Sequence, residues 1–178
     1  MITVGIDIGF TGAIAFFGSD GKPDNVMDMP VLKVGKKTEL DTSAIYAALQ
    51  HLPLLDSHVF VEKAQSMPGQ GIASTGRYLI GYGMIIGILV GLRIPHTLVH
   101  PRTWKARMMR DMGKEKQASV LRCQQLYPEF ATQYLKLKKH HGRADALLIA
   151  AYGVSIHKTG IQEESALQYP GCHMLGLR

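Results

Sequence analysis

The sequence predicts an α/β protein: a mixed sheet of five strands with helices packed on both faces. Three observations carry this expectation. Short β-branched runs separated by Gly- and Asp-containing turns crowd the first thirty positions, as in an antiparallel meander. After them, helical and strand-like periods alternate, the order that builds parallel pairs with helical crossovers. The 178 residues are 46% hydrophobic and 19% charged, so one domain can bury a core without disulfide staples.

The elements follow in order. Residues 2–8 are apolar and β-branched until Asp7, and Gly9, Thr11 and Gly12 then punctuate the chain before a second strand at 13–17. A turn at 19–24 leads to a third strand at 25–29, stopped by Pro30. Residues 33–39 are polar and lysine-containing and read as a loop. Asp41 or Thr42 caps a helix reaching about Leu52, with Ile45, Leu49 and Leu52 on one face. Residues 58–61 form a short strand that ends at Glu62. The stretch 64–74, rich in Gly, Ser and Gln, reads as a pliable loop.

A long helix is expected over 75–91, with Ile85, Ile86, Leu89 and Val90 buried. Its Gly83, Gly87 and Gly91 at four-residue spacing would permit close approach to the sheet or to a second subunit. The apolar run inside it, residues 79–92, falls short of the ~20 residues that span a bilayer. A fifth strand at 94–99 and helices at 102–110, 116–126 and 143–157 complete the domain, taken as 1–157, with 158–178 as a tail. Two cysteines, Cys123 and Cys172, give no disulfide framework, and no secretory leader is visible. The expected setting is the cytoplasm, with no membrane partner.

The formal charge of +6 is unevenly spread. Residues 102–143 hold 11 Lys and Arg against 3 Asp and Glu, while the flanking stretches are nearly neutral. Such a segment favours an anionic partner. The remaining chemistry lies in three carboxylates at the ends of apolar elements: Asp7, Glu62 and Asp145. A carboxylate embedded in a core element is costly unless paired or metal-bound. Three converging at element ends could hold hard divalent cations, and two such ions ~3.5–4 Å apart can clamp both oxygens of a phosphodiester displacement.

These residues occur in a recognisable order. Gly5-Ile6-Asp7-Ile8-Gly9-Phe10-Thr11-Gly12-Ala13, then Val59-Phe60-Val61-Glu62, then Arg143-Ala144-Asp145-Ala146-Leu147-Leu148-Ile149-Ala150 resemble the RuvC family of Holliday junction resolvases, in the branch found in phages and mobile elements. Pro101 through Trp104-Lys105, Lys116-Gln117-Ala118-Ser119 and Leu126-Tyr127-Pro128 add to the likeness. The resemblance spans residues 2–157. It implies a ribonuclease H-like fold, a homodimer, branched DNA as partner, and Mg²⁺-dependent paired nicking of four-way junctions, with Mn²⁺ as an alternative ion.

Carried over by position, Asp7, Glu62 and Asp145 are metal ligands. The family's further acid shortly before the last aspartate is absent here, and the resemblance assigns that place to His141, with His140 as alternative. Lys105 and Lys116 resemble lysines near the scissile phosphate, with Lys114 as the alternative to Lys116. Arg102, Arg107, Arg110, Lys136, Lys138, Lys139 and Arg143 are expected phosphate contacts. The loop after Glu62 is expected to reach the junction centre, with Gln70 on DNA and Met67 or Ile72 as a wedge between base steps. Trp104 is expected to pack rather than stack on a base. Two other readings exist: an actin-like ATP-binding phosphotransferase, which shares the strand and Asp-x-Gly-x-Thr-Gly opening, and a catalytically inactive DNA-binding relative.

Overall fold

The first three strands, β1 (Ile2–Asp7), β2 (Ala13–Phe17) and β3 (Pro23–Asp28), form the expected antiparallel meander. The structure, a computed structural model, describes every residue except 66–68, 70, 114, 116, 138, 161–166 and 170–178, with residues 167–169 described in backbone only. The turn between β1 and β2 depends on Gly9, whose φ of 143° is open to glycine and strained for other residues. Residues 33–39 are not a loop. They lie in a separate hairpin of β4 (Val31–Val34) and β5 (Lys37–Leu40), turned over Gly35 at φ 61°. A two-residue turn with a glycine able to take positive φ is enough to close such a ribbon.

Helix α1 (Thr42–Leu49) is capped by Asp41, whose carboxylate accepts from the Ala44 amide at 3.0 Å. Strand β6 (Ser57–Glu62) then returns parallel to β1, and β7 (His96–Val99) lies parallel to β6. The sheet has a sixth strand beyond the five expected. Residues 167–169, β8 (Leu167–Tyr169), pair antiparallel with β7, giving the order β3-β2-β1-β6-β7-β8. The tail therefore contributes to the sheet.

Between β6 and β7 runs α2 (Ile72–Gly91), which starts inside the expected loop. At 20 residues it is long and apolar enough to cross a membrane by length and composition alone, unlike the shorter run read from the sequence. One face belongs to the core all the same: Gly81, Ile85 and Leu89 are buried, and the Ile85 and Leu89 side chains pack in the cluster that holds Ile45 and Leu49. Ile86 is only partly buried and Val90 is 57% exposed, against expectation. A Cβ at Gly83, Gly87 or Gly91 would meet nothing, so these glycines do not serve contact with the sheet; Gly81 instead lies against Leu40 of the β4–β5 hairpin.

The other face of the sheet is covered by α3 (Pro101–Met108), α4 (Ala118–Leu126), α5 (Pro128–Tyr134) and α6 (His141–Thr159). Helix α5 was not anticipated; Pro128 opens it at a position where a missing N–H is tolerated. Residues Ala144 and Ala146–Gly153 of α6 are all buried, and Gly160, left-handed at φ 63°, ends the helix.

How closely α6 packs is set by glycine. A Cβ on Gly5 would lie 2.2 Å from the Ala146 carbonyl oxygen, and one on Gly142 would lie 2.1 Å from that of Thr11. Backbone touches backbone at both places. Gly5→Ala should therefore cost about 1–3 kcal/mol, the range for overpacking a core. Gly76→Ala, in an open helical position of α2, should leave stability equal or slightly higher. Urea denaturation midpoints check this; equal midpoints for Gly5→Ala and wild type would refute the packing account.

Candidate functional site

Parallel pairing of β1 with β6 sets Ile6 beside Val61, so Asp7 and Glu62 stand at neighbouring strand ends. This is the carboxyl end of the parallel strands, where open α/β sheets bind ligands. Contact at Gly5 and Gly142 holds the start of α6 over the same end and delivers Asp145 to it. The helix begins two residues earlier than expected, so Asp145 lies beyond the first turn, which contains no acid. Stabilisation by the helix dipole, which fades beyond that turn, does not explain an acid there.

Asp7 senses Glu62 and Asp145, and Glu62 senses Asp145. Burial raises the Asp7 carboxyl well above its ordinary range, and the charges of Glu62 and Asp145 raise it further. A hydrogen bond between Asp7 and Glu62 raises Asp7 and lowers Glu62, so Asp7 is the proton donor of the pair. Glu62 is itself raised, chiefly by burial, against the Trp104 indole, which donates to its Oε1 at 3.3 Å. Asp145 is raised by burial against a hydrogen bond from Ser119, and its Oδ1 is buried with no hydrogen-bond partner. The charge of Lys105 opposes the shift in all three, and its Nζ lies 5.1 Å from the centre of the Trp104 ring.

This donor set fits a hard divalent cation. It offers carboxylate oxygens only, it is strained by mutual repulsion, and one buried oxygen has no hydrogen-bond partner. Among the described residues no three His, Cys, Asp or Glu side chains are grouped as they stand so as to hold one metal ion.

The two histidines separate. His141 is felt electrostatically by Asp145. His140 is buried, accepts from the Leu137 amide at Nδ1 over 3.4 Å, and senses Arg143, Asp28 and Lys139. Arg143 departs from expectation. Its Nε donates to Asp28 Oδ1 at 2.6 Å and its second amino group to Oδ2 at 2.8 Å, while the first donates to the Tyr134 carbonyl. A guanidinium engaged on both edges ties α6 to β3 and is not free for phosphate. Arg102, Arg110, Lys136 and Lys139 are exposed and Arg107 is half-buried. Lys114, Lys116, Lys138, Met67 and Gln70 lie outside the described residues; Ile72 is 92% exposed in the first turn of α2.

Three site residues escaped the sequence reading. Trp104 packs fully buried, as expected, but also holds Glu62. Ser119 serves Asp145. Tyr78 on α2 has its hydroxyl pushed up to about 12 by burial and by the charges of Glu62 and Asp7, which places it beside the carboxylates. Trp104 and Ser119 had a sequence signal, in the runs Pro101 through Trp104-Lys105 and Lys116-Gln117-Ala118-Ser119, and Tyr78 had none.

The strand order and the helices on both faces define a ribonuclease H-like α/β fold. More closely, the fold is that of RuvC. The Thermus thermophilus RuvC structure in complex with a Holliday junction substrate matches at TM-score 0.62 and 16% identity, covering 95% of this chain and 99% of that one. A further Thermus thermophilus RuvC structure matches at TM-score 0.51 and 18% identity, over 95% and 100%. In sequence, a chloroplastic Holliday junction resolvase from Chlamydomonas reinhardtii is 32% identical over 128 residues, 66% of this chain; the chain spans 14% of the length of that relative. No protein-family model matches. The phosphotransferase reading gains nothing: Asp111-Met112-Gly113, the second Asp-x-Gly, lies after α3 and on no strand.

The carboxylate shifts have a consequence for stability. Groups whose folded values are raised favour folding when protonated. Their contribution is present below the ordinary carboxylate range and is lost as pH rises through the raised folded values. In EDTA at pH 7, Asp7→Asn should raise Tm by roughly 2–4 °C, the shift that about 1 kcal/mol produces in a chain of this length. The gain should shrink toward pH 4. A variant less stable than wild type at pH 7 would contradict the repulsion account.

Proposed function

We propose that the chain is a divalent-metal-dependent, structure-selective endodeoxyribonuclease that resolves four-way DNA junctions by paired phosphodiester nicking. One observation carries this reading: three carboxylates, each raised by burial, and Lys105 meet at the sheet end of a fold shared with a protein solved on a junction. Asp7, Glu62 and Asp145 would hold the ions, Mg²⁺ or Mn²⁺, with His141 as the nitrogen donor or proton relay beside them. A bound cation supplies an activated water at neutral pH and screens the phosphoryl oxygens.

The chain's own groups do the rest. Lys105 places a positive charge where negative charge develops on phosphorus. Trp104 fixes the Glu62 carboxylate by its N–H while its ring is locked in the core. The exposed Arg102, Arg110, Lys136 and Lys139 position the backbone of the DNA without reading sequence. A buried thiol, Cys123, held protonated by burial, is compatible with the cytoplasm as its setting.

Two nicks on a two-fold-symmetric substrate call for two sites related by a two-fold axis. The exposed face of α2 supports a second copy as partner. Leu79, Ile80, Met84 and Val90 are exposed, and Gly83, Gly87 and Gly91 leave room for close helix contact. A bilayer is the poorer occupant, because the opposite face of α2 is built into the core.

Labelled four-way junctions and linear duplexes, incubated with Mg²⁺ or Mn²⁺, test the activity. Junction cleavage should fall at least ~10³-fold in Asp7→Asn and Asp145→Asn, and ~10²-fold in Lys105→Ala. Trp104→Phe should retain packing and lose ~10-fold. Cleavage of linear duplex alone, or full activity in both aspartate variants, would overturn the proposal. Sedimentation at micromolar concentration should show a dimer for wild type and a monomer for Ile80→Glu/Met84→Glu, with the second nick uncoupled from the first. A monomeric wild type would sink the dimer.

A further inference from the structure

Along the chain, the basic surplus belongs to residues 102–143, on the face of the sheet covered by α3 to α6. Folding gathers a second basic wall from segments that are neutral on average. A cleft of about 570 Å³ opens between the β1–β2 turn, the β4–β5 hairpin and α2. Its lining includes Lys36, Lys37 and Arg77 as cations and Phe10 and Tyr78 as aromatics, and no acidic side chain. Glu39 enters only in the adjoining outer recess.

The cleft begins where the catalytic centre ends. Ile8 and Gly9, the residues directly after Asp7, form one wall, and Thr11, whose carbonyl meets Gly142 of α6, lies beside them. Tyr78 forms the opposite wall and faces both the cleft and the Asp7–Glu62 pair. Phe10 is 37% exposed, high for a phenylalanine next to a core turn. Lys36 and Lys37 are exposed on the hairpin tip, and Arg77 donates from Nε to the Ala73 carbonyl of its own helix, which sets its stem along the rim.

We propose that this cleft is a strand-binding subsite: it takes the phosphodiester next to the scissile one in a junction strand, with an unstacked base laid against Phe10 and Tyr78. The inference rests on the junction-nuclease reading and extends it to a surface made by the hairpin. Three cations without an acid match a phosphate backbone. Two aromatic faces beside them match a base that has left its stack, as happens at a branch point and not in a continuous duplex. The subsite would thus contribute to structure selectivity, and not only to affinity.

The test uses a labelled four-way junction bound in EDTA, where no cutting occurs, across a salt series. Lys36→Ala/Lys37→Ala should bind about 10-fold more weakly at 0.1 M salt, with a log–log salt slope shallower by about 2, one unit for each phosphate no longer neutralised. Arg77→Ala should make the slope shallower by about one unit. Both changes lie on exposed positions, so unchanged melting temperatures serve as the folding control. A junction carrying 2-aminopurine beside the cut position should change fluorescence on binding wild type, and the change should vanish with Phe10→Ala. Wild-type affinity and slope in the lysine and arginine variants, or an unaltered fluorescence change in Phe10→Ala, would overturn the subsite. Failure of wild type itself to bind or cut junctions would instead strike the nuclease reading.

Discussion

Much at the carboxylate end of the sheet depends on backbone contact between β1 and α6. Gly5 and Gly142 remove the side-chain atoms that would hold the two apart, and the Ala146 and Thr11 carbonyls take up the space. A helix separated from its sheet by ordinary side chains would carry Asp145 several ångströms away from Asp7. Contact at glycine brings the two acids within mutual electrostatic range. The same docking accounts for the apolar composition of α6, since a helix pressed this closely has little solvent-facing surface along Ala144–Gly153. Site geometry and core packing are therefore a single constraint, met by residues without side chains.

That constraint creates an electrostatic problem which the rest of the site addresses. Three half-buried carboxylates share one end of the sheet, and among the described residues Lys105, His141, the Trp104 indole N–H and the Ser119 hydroxyl act against their raised values. These partners hold the carboxylates in place without neutralising them: the Asp145 Oδ1 stays without a hydrogen bond and all three groups remain raised. A site meant only for stability would have paired its charges, as Arg143 pairs with Asp28 a short distance along the same helix. Both solutions occur on one helix, two residues apart, and the contrast separates a structural acid from one left open to a cation.

Legibility in the sequence followed the range of the forces involved. The meander, β6, β7 and the course of α6 were readable because period-2 and period-3.6 patterns are local and strong. The three acids were readable because a charge in an apolar run violates the local pattern. The hairpin of β4 and β5 was not, since its two strands are mostly exposed and its lysines mask the alternation; Gly35 was its one signal. Trp104 looked like core and is core; its bond to Glu62 joins residues 42 positions apart, which no local pattern shows. Arg143 was assigned to DNA because it sits in a basic run, while its partner Asp28 lies 115 positions away. The exposed side of α2 was misjudged at Val90 because an apolar helix reads as buried all round, whether its second face meets the core or another chain.

The surface charge is distributed differently along the chain and in space. Along the chain, one segment is basic and the rest is nearly neutral. In space, the acidic centre lies between two basic walls, one carried by α3 through α6 and one by the hairpin and Arg77. The arrangement has a physical logic. Screening limits a lysine's reach to about 8–10 Å at physiological salt, so a single basic face has little pull on a polyanion lying on the far side of the acidic centre. With cations on both flanks and, among the described lysines and arginines, Lys105 as the one that acts on all three carboxylates, the surface can attract a polyanion while the centre stays acidic. The hairpin that the sequence hid supplies the second flank.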